Sequence, residues 1–458
     1  MADTGLFRDT IFALASGATP SGVAVVRISG GDAASALDVF HVKPPVPRRA
    51  QLSVLRNSDG EAIDQALVLW FPGPASFTGE DVVEFHLHGS AAVLNAVFQQ
   101  LGTLRSWRMA EPGEFTRRAF ENGRMDLTEV EGLGDLLAAQ TENQRRQAMN
   151  QYSGSLRTLY DGWRQSLLAL RAAVEADFDF ADEEDVPGSV ADYVSGDALS
   201  LARQIEQHLN DGRRGEIIRN GLRVVLIGLP NAGKSSLLNA LAQKDVAIVT
   251  DIPGTTRDVL TVSLNLGDQL VILSDTAGLR DSADVIEQEG MRRAEAAARE
   301  ADLVLSLCPA DQPGFHVAFA AGESSEMPPV IKLRTKYDLI EGEPAGTPDG
   351  VGDAGEINVS VKDGRGLDAL IAALVRFGSV SVSGGGENAD NPLITRTRHR
   401  LALQICVDSL KQAGDDHLPL EIRVEYLRTA SDALGQLLGR IDVEDILGHI
   451  FAEFCIGK

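Results

Sequence analysis

Gly228-Leu229-Pro230-Asn231-Ala232-Gly233-Lys234-Ser235 decides how the rest of this chain is read. An aliphatic run at 223–227 precedes it and an apolar-periodic segment at 236–241 follows, so the glycine-rich turn joins a strand to a helix. In that setting the N–H groups of the turn and of the helix N-terminus cradle anionic phosphates. Lys234 reaches the β- and γ-phosphates, and the Ser235 hydroxyl ligates Mg²⁺. A chance match in a glycine-rich turn would lack the strand–loop–helix setting.

Four later stretches extend the reading. Residues 270–274 form a strand delivering Asp275-Thr276-Ala277-Gly278, an aspartate for Mg²⁺ followed by a glycine whose N–H can meet a γ-phosphate. Thr255-Thr256 lies between the two motifs, where a threonine that ligates Mg²⁺ belongs. A strand at 330–333 leads to Thr335-Lys336-Tyr337-Asp338, which resembles the guanine-reading motif of GTPases. Its aspartate pairs with N1–H and the exocyclic amine of guanine. Adenine lacks that donor pair, so the nucleotide is GTP. Ser360-Val361-Lys362 resembles the second base-contacting loop. Thr335 departs from the usual asparagine, which mainly ties the base loop to the phosphate loop, and this leaves room for some loss of nucleotide affinity. Leu279 stands where Ras-like enzymes carry a water-orienting glutamine, and no arginine finger is assignable. Glu287 is a candidate for that task, although an acidic residue at a helix start also reads as a solvated charge.

The chain has 458 residues, enough for about three domains at ~150 residues each. Lys plus Arg total 42 against 66 Asp plus Glu, a net charge of −24. That balance argues against nucleic-acid affinity from a broad basic surface, and leaves RNA reached through a local patch or a partner. Three cysteines make no disulfide framework. No export signal and no apolar run of membrane-spanning length is present, so a soluble, cytoplasmic protein without membrane attachment is expected.

Residues 1–121 mix short apolar strands, at 23–28, 66–71 and 82–87, with a helix at 91–101, which reads as an α+β domain. Helical spacing takes over at Leu127: Val130, Leu133 and Leu137, then Leu167, Leu170 and Val174. Strands alternate with helices from 223 to 377, the signature of a parallel α/β sheet. A linker with three consecutive glycines follows at 379–392, and helix returns to the C-terminus. The two amphipathic helical pieces bury their apolar faces most economically on each other. The expected architecture is therefore a multidomain α/β plus α chain. A P-loop GTPase domain (217–379) is inserted in an all-helical domain (122–216 and 380–458), preceded by the α+β domain.

The landmarks Gly22 to Gly30, Ser76 to Asp81, Pro112 to Phe115, Asp179-Phe180 with Asp182-Glu183-Glu184, Gly254 to Asp258, and the terminal Cys455-Ile456-Gly457-Lys458 together resemble the MnmE (TrmE) family. That likeness runs from Asp9 to Lys458. It implies a homodimer whose N-terminal domain binds a tetrahydrofolate derivative, in the 5-formyl or 5,10-methylene form. It also implies a heterotetramer with an FAD-containing, MnmG-like partner, acting on tRNA to build an aminomethyl-type group on C5 of the wobble uridine. By motif, Arg27, Glu84, Arg124 and Lys458 match the folate-contacting positions, with Arg124 where lysine is common. The resemblance implies GTP contacts from Asn231, Ala232, Gly233, Lys234, Ser235 and Ser236. Further contacts come from Thr250, Asp251, Ile252, Pro253, Gly254, Thr255 and Thr256, from Asp275, Thr276, Ala277 and Gly278, and from Thr335, Lys336, Asp338, Ser360, Val361 and Lys362. Mg²⁺ falls to Ser235 and Thr256, and K⁺ to Asn231, Thr250, Ile252 and Thr255, the monovalent ion replacing an arginine finger. Glu287 matches the glutamate that orients water.

Cys455 carries two readings, buried packing among Phe451, Phe454 and Ile456 or chemistry beside folate and uridine. His86 and His88 alternate on one strand face without a recognisable third ligand and read as strand-surface histidines. A competing functional reading is a GTP-dependent ribosome-assembly or signalling switch, which would share the nucleotide motifs but neither the N-terminal domain nor the Cys455 tail.

Overall fold

The computed structural model describes residues 9–179, 190–211, 213–244, 246–248, 261–275, 296–312, 314, 328–340, 356–382, 392–441, 447–448, 450–451, 454 and 457. They group into two compact units, one drawn from 1–134, 151–168 and 431–458, the other from 135–150 and 169–430.

In the first unit, strands β1 (Thr10–Leu14), β2 (Ser21–Ser29), β3 (Gln51–Arg56), β4 (Ala62–Phe71), β5 (Val82–Gly89) and β6 (Trp107–Met109) form a sheet in the order β3-β4-β5-β2-β1-β6. Every pair is antiparallel except β1 with β6. The period of two sends Ala24, Val26 and Ile28 of β2, Ala66 and Val68 of β4, and Val83, Phe85 and Leu87 of β5 into one core. Helices α1 (Ser35–Val39) and α2 (Ala91–Leu101) contribute Leu37, Leu94, Val97 and Leu101 to it. Ser90 caps α2 by accepting from the Val93 N–H. The same alternation turns Arg27, Glu84 and His86 to the other face of the sheet.

Helix α3 (Glu114–Glu121) is anchored by a polar knot that no hydrophobic pattern announces. Arg118 is fully buried; its guanidinium donates to Asp9 Oδ1 at 2.9 Å, to Glu114 Oε1 at 3.0 Å and to Glu80 at 3.2 Å. Arg108 grips Glu114 with two hydrogen bonds, at 2.8 and 2.6 Å. Burial opposes charge on Glu114 and Asp9, but hydrogen bonds and charge from Arg108 and Arg118 outweigh it and hold both carboxyls below the usual carboxylate range. Gly113 starts α3 at φ +69, and a Cβ there would stand 2.7 Å from the Phe451 carbonyl oxygen, so glycine is required twice over. Val130 of α4 (Leu127–Ala138) shares a cluster with Phe451 and Phe454.

The second unit carries helix α5 (Glu142–Tyr152) up to Asn150, the later part of α6 (Ser155–Asp179), then α7 (Val190–Leu209) and α8 (Arg214–Asn220). Its sheet comprises β7 (Leu222–Ile227), β8 (Ala247–Ile248), β9 (Thr261–Leu266), β10 (Gln269–Asp275), β11 (Leu303–Pro309), β12 (Val330–Thr335) and β13 (Glu356–Asn358), in the order β13-β12-β11-β7-β10-β9-β8. The five strands from β13 to β10 are parallel; β9 and β8 extend the edge antiparallel. That edge arises from Gly267 and Asp268, both at positive φ, which form the two-residue hairpin turn from β9 to β10. Every residue of interior strand β11 is buried, as expected of a strand covered on both faces. Helices α9 (Lys234–Ala242) and α10 (Leu367–Val382) add Leu237, Leu238, Leu241, Leu370 and Leu374 to the sheet core.

Beyond the sheet, α11 (Thr397–Ala413) returns to pack on α7, and α12 (Leu420–Leu437) follows. Leu403, Cys406, Val407 and Leu410 on α11, with Val194, Ala198, Leu201 and Ile205 on α7, are all buried. Helices before and after the α/β sheet thus cover each other, and the sheet is an insertion between them. Among the described residues no helix is long and apolar enough to cross a membrane.

Replacing Arg118 with methionine should destabilise the first unit by about 3–5 kcal/mol, because Glu80 would stay buried without its cation and Glu114 would keep only Arg108. Urea unfolding followed by circular dichroism measures this, and a loss below about 1 kcal/mol would contradict the role given to the knot.

Candidate nucleotide site and N-terminal ion pair

Parallel pairing of β7 with β10 and β11 brings the carboxyl ends of these strands to one edge of the second unit's sheet. At that edge the turn 228–233 leaves β7 and enters α9 at Lys234. Gly228 passes so close to β11 that a Cβ would lie 2.6 Å from the Leu307 carbonyl oxygen, while Asn231 (φ +65) and Gly233 (φ +93) take the left-handed turns that bend the loop around. Lys234 is buried and its ammonium donates to the carbonyls of Gly228 at 2.7 Å and Leu229 at 3.2 Å. Burial pushes its pKa below the usual lysine value, with Asp275 partly opposing. The cation is therefore held inside the loop, where a polyphosphate would meet it with the loop amides.

Ser235 donates from Oγ to Asp275 Oδ2 at 2.8 Å, and Asp275 itself is buried at the end of β10. A hydroxyl and a carboxylate side by side form the oxygen donor set that suits Mg²⁺. Ser236 follows on the first turn of α9.

The base side of the edge is built by β12 and the loop after β13. Thr335 is buried and its hydroxyl donates to the Ala232 carbonyl at 2.6 Å, so the tie between base loop and phosphate loop is made by threonine in place of the usual asparagine. A hydroxyl suffices because Gly233 brings the phosphate loop close; a Cβ on Gly233 would lie 3.7 Å from that of Thr335. Lys336 adopts φ +56, and Asp338 accepts from Ser360 Oγ at 3.1 Å. Lys362 Nζ stands 3.9 Å from Asp338 Oδ2, and exposed Val361 lies between Ser360 and Lys362 in the same loop. Gly366 permits that loop to close, since a Cβ there would collide with the Asn358 carbonyl oxygen.

The structure thus gathers Asn231 to Ser236, Asp275, Thr335, Lys336, Asp338 and Ser360 to Lys362 at one sheet edge. Thr250, Asp251, Ile252, Pro253, Gly254, Thr255, Thr256, Thr276, Ala277, Gly278, Glu287, Cys455 and Lys458 lie outside the described residues.

In the first unit, β2 and β5 pair with Arg27 directly opposite Glu84, and Arg27 Nε donates to Glu84 Oε1 at 2.9 Å. The Arg27 guanidinium carbon lies 5.1 Å from the centre of the Phe77 ring and 5.7 Å from that of Phe115, a cation held over two aromatic faces. Those two rings were not singled out in the sequence, although both belong to landmark stretches. Arg124 is exposed near the turn at Gly79. Gly457, at φ +99, passes so close to the end of β1 that a Cβ would meet the Leu14 carbonyl oxygen, which brings this residue to the sheet.

Thr335→Val should lower stability by about 1–3 kcal/mol, because it leaves the buried Ala232 carbonyl without its donor. It should also weaken guanine-nucleotide binding, whereas Thr335→Ser should retain both. Urea unfolding and titration with a fluorescent GTP analogue measure the pair of effects; a valine variant that behaves like wild type would show that the tie has no energetic weight.

Comparison with known proteins agrees over the whole chain. Residues 10–124 match the family model of the GTP-binding protein TrmE N-terminus, and residues 127–455 match that of the MnmE helical domain. The tRNA modification GTPase MnmE of Agrobacterium fabrum (strain C58) is 50% identical over 453 residues, covering 98% of this chain and 99% of that protein. Those of Brucella anthropi and Brucella ovis are each 47% identical, with 100% of both chains covered. With identity near one half from end to end, the chain belongs to the MnmE family of tRNA modification GTPases.

Proposed function

We propose that this chain is a GTP hydrolase of tRNA modification that, with an FAD-containing MnmG-like partner, alters C5 of the wobble uridine to an aminomethyl-type group. The one-carbon unit comes from a tetrahydrofolate derivative, and hydrolysis depends on potassium. The observation that supports this reading best is the end-to-end identity with tRNA modification GTPases, joined to a sheet edge where Lys234, Ser235, Asp275, Thr335 and Asp338 converge. The working form is a cytoplasmic homodimer that assembles with the partner into a heterotetramer. Its domains are 1–121 for folate and dimerisation, 122–216 with 380–458 as the helical domain, and 217–379 for GTP.

Each residue has a task in this reading. Loop amides and Lys234 bind the β- and γ-phosphates, and Asp338 selects guanine through its two-donor edge. Ser235 and Thr256 hold Mg²⁺, and Asn231, Thr250, Ile252 and Thr255 hold K⁺. When bound, the two cations offset negative charge that develops between the β- and γ-phosphates. Glu287 orients the attacking water, a task for which Leu279 has no polar group. In the N-terminal domain, Glu84 accepts from the donor edge of the pterin, while Arg27, Arg124 and Lys458 supply cations. Cys455 acts on folate or uridine.

Two measurements test the proposal. Hydrolysis should be much faster in potassium than in sodium at equal ionic strength. An arginine finger is worth about 10³–10⁵ in rate, so even a partial substitute gives a large ratio. Equal rates in the two salts would remove the potassium assignment. Nucleoside mass spectrometry of tRNA from cells lacking the gene should show unmodified wobble uridine; an unchanged profile would favour a GTP switch without modification chemistry.

A further inference from the structure

Three neighbouring side chains on the face of the first unit's sheet opposite its main core form a chain of contacts that goes beyond the paired arginine and glutamate. Arg27 takes one oxygen of Glu84, and His86 Nε2 lies 3.3 Å from the other, Oε2. His86 stands on β5 two residues beyond Glu84, so the strand period places both on one face. Its cross-strand partners are Val25 on β2 and Leu67 on β4, and that of Glu84 on β4 is Leu69. The second histidine of the strand is engaged elsewhere: His88 Nδ1 is 2.7 Å from Asp64 Oδ1, and the His88 N–H donates to Asp64 Oδ2 at 2.8 Å. The two alternating histidines therefore differ in role. His88 ties β5 to β4, and His86 touches the Arg27–Glu84 pair.

We propose that His86 is a positioning residue for the folate site, holding the Glu84 carboxylate in the plane in which it receives the pterin's paired N–H donors. This inference rests on the folate reading of Arg27 and Glu84 given above. A carboxylate held at a single oxygen still rotates about its terminal torsion, which is broad and weakly restrained. Arg27 is itself fixed by Phe77 and Phe115, so it anchors Oε1 firmly. A second donor at Oε2 removes the remaining rotation. Each oxygen keeps a further acceptor site, so the carboxylate can still accept two parallel N–H donors from a heterocycle. Ordering the acceptor beforehand lowers the entropic cost of binding. The side chains of Arg27 and Glu84 are about one-sixth exposed and that of His86 under one-third, so water competes only partly for these contacts.

Isothermal titration of the full-length protein with 5-formyltetrahydrofolate tests this, comparing wild type, His86→Ala and His86→Gln. Loss of one hydrogen bond to a charged group should weaken the alanine variant by about tenfold or more. Glutamine carries an N–H donor on a side chain of similar reach and should recover most of the loss, which a purely structural contribution of the ring would not produce. Thermal unfolding of all three proteins checks that the fold is retained. An alanine variant that binds like wild type overturns the proposal, and so does a glutamine variant as weak as alanine with both folded. Failure of the wild-type protein to bind at all would instead overturn the folate reading on which the proposal rests.

Discussion

Parallel pairing of β7 with β10 on one side and β11 on the other is the constraint on which the nucleotide edge depends. In a parallel sheet all carboxyl ends emerge together, so residues 40 apart (Ser235 and Asp275) and 103 apart (Ala232 and Thr335) meet without any of them having to reach far. Register sets the finer geometry. Asp275 lies opposite Leu226, one residue before the end of β7, and this delivers its carboxylate to the Ser235 hydroxyl as the turn enters α9. A slip of one residue in this pairing would point Asp275 to the other face of the sheet and separate the two oxygens.

The N-terminal sheet solves a different problem. Its core face is ordinary aliphatic packing, but the segment that joins sheet to helix is held by charge. Arg118 is buried among Asp9, Glu80 and Glu114, and Glu80 also receives the hydroxyl of Ser29 at 2.7 Å. Buried ionic groups are costly unless every partner is present, so such a knot accepts one arrangement of its strands, turn and helix. The stretches 76–81 and 112–115 supply Glu80, Glu114 and the two rings around Arg27. Landmarks of this kind are thus as much structural as chemical: the knot sets α3 in place, and α3 carries Phe115 to Arg27.

Thr335 shows how a departure from a motif is absorbed. The hydroxyl is shorter than an amide and offers one donor. It serves because the phosphate loop turns through Gly233 next to it and exposes the Ala232 carbonyl to a short side chain. The tie is therefore a property of two backbones in close approach, not of one residue type.

Periodicity and motif order were sufficient, from the amino-acid sequence by itself, for the α+β start, the flanking helices and the inserted GTPase sheet. Strand–turn–helix spacing is local, and Gly228 to Ser235 carries its setting on either side. The guanine motif was legible for the same reason, since Asp338 follows its own strand. Three things required the tertiary structure. The antiparallel edge of β8 and β9 depends on a turn at Gly267-Asp268 that also fits a strand-to-helix loop until pairing is known. The Arg118 knot joins residues up to 109 positions apart, and nothing in the local pattern separates such an arginine from a surface charge. His86 and His88 are equivalent in sequence, two residues apart on one strand. His86 meets Glu84 along β5 itself, a contact the strand period allows, whereas the His88 contact to Asp64 crosses to β4; only the pairing of these two strands separates the histidines, because a cross-strand partner is set by register and not by position along the strand.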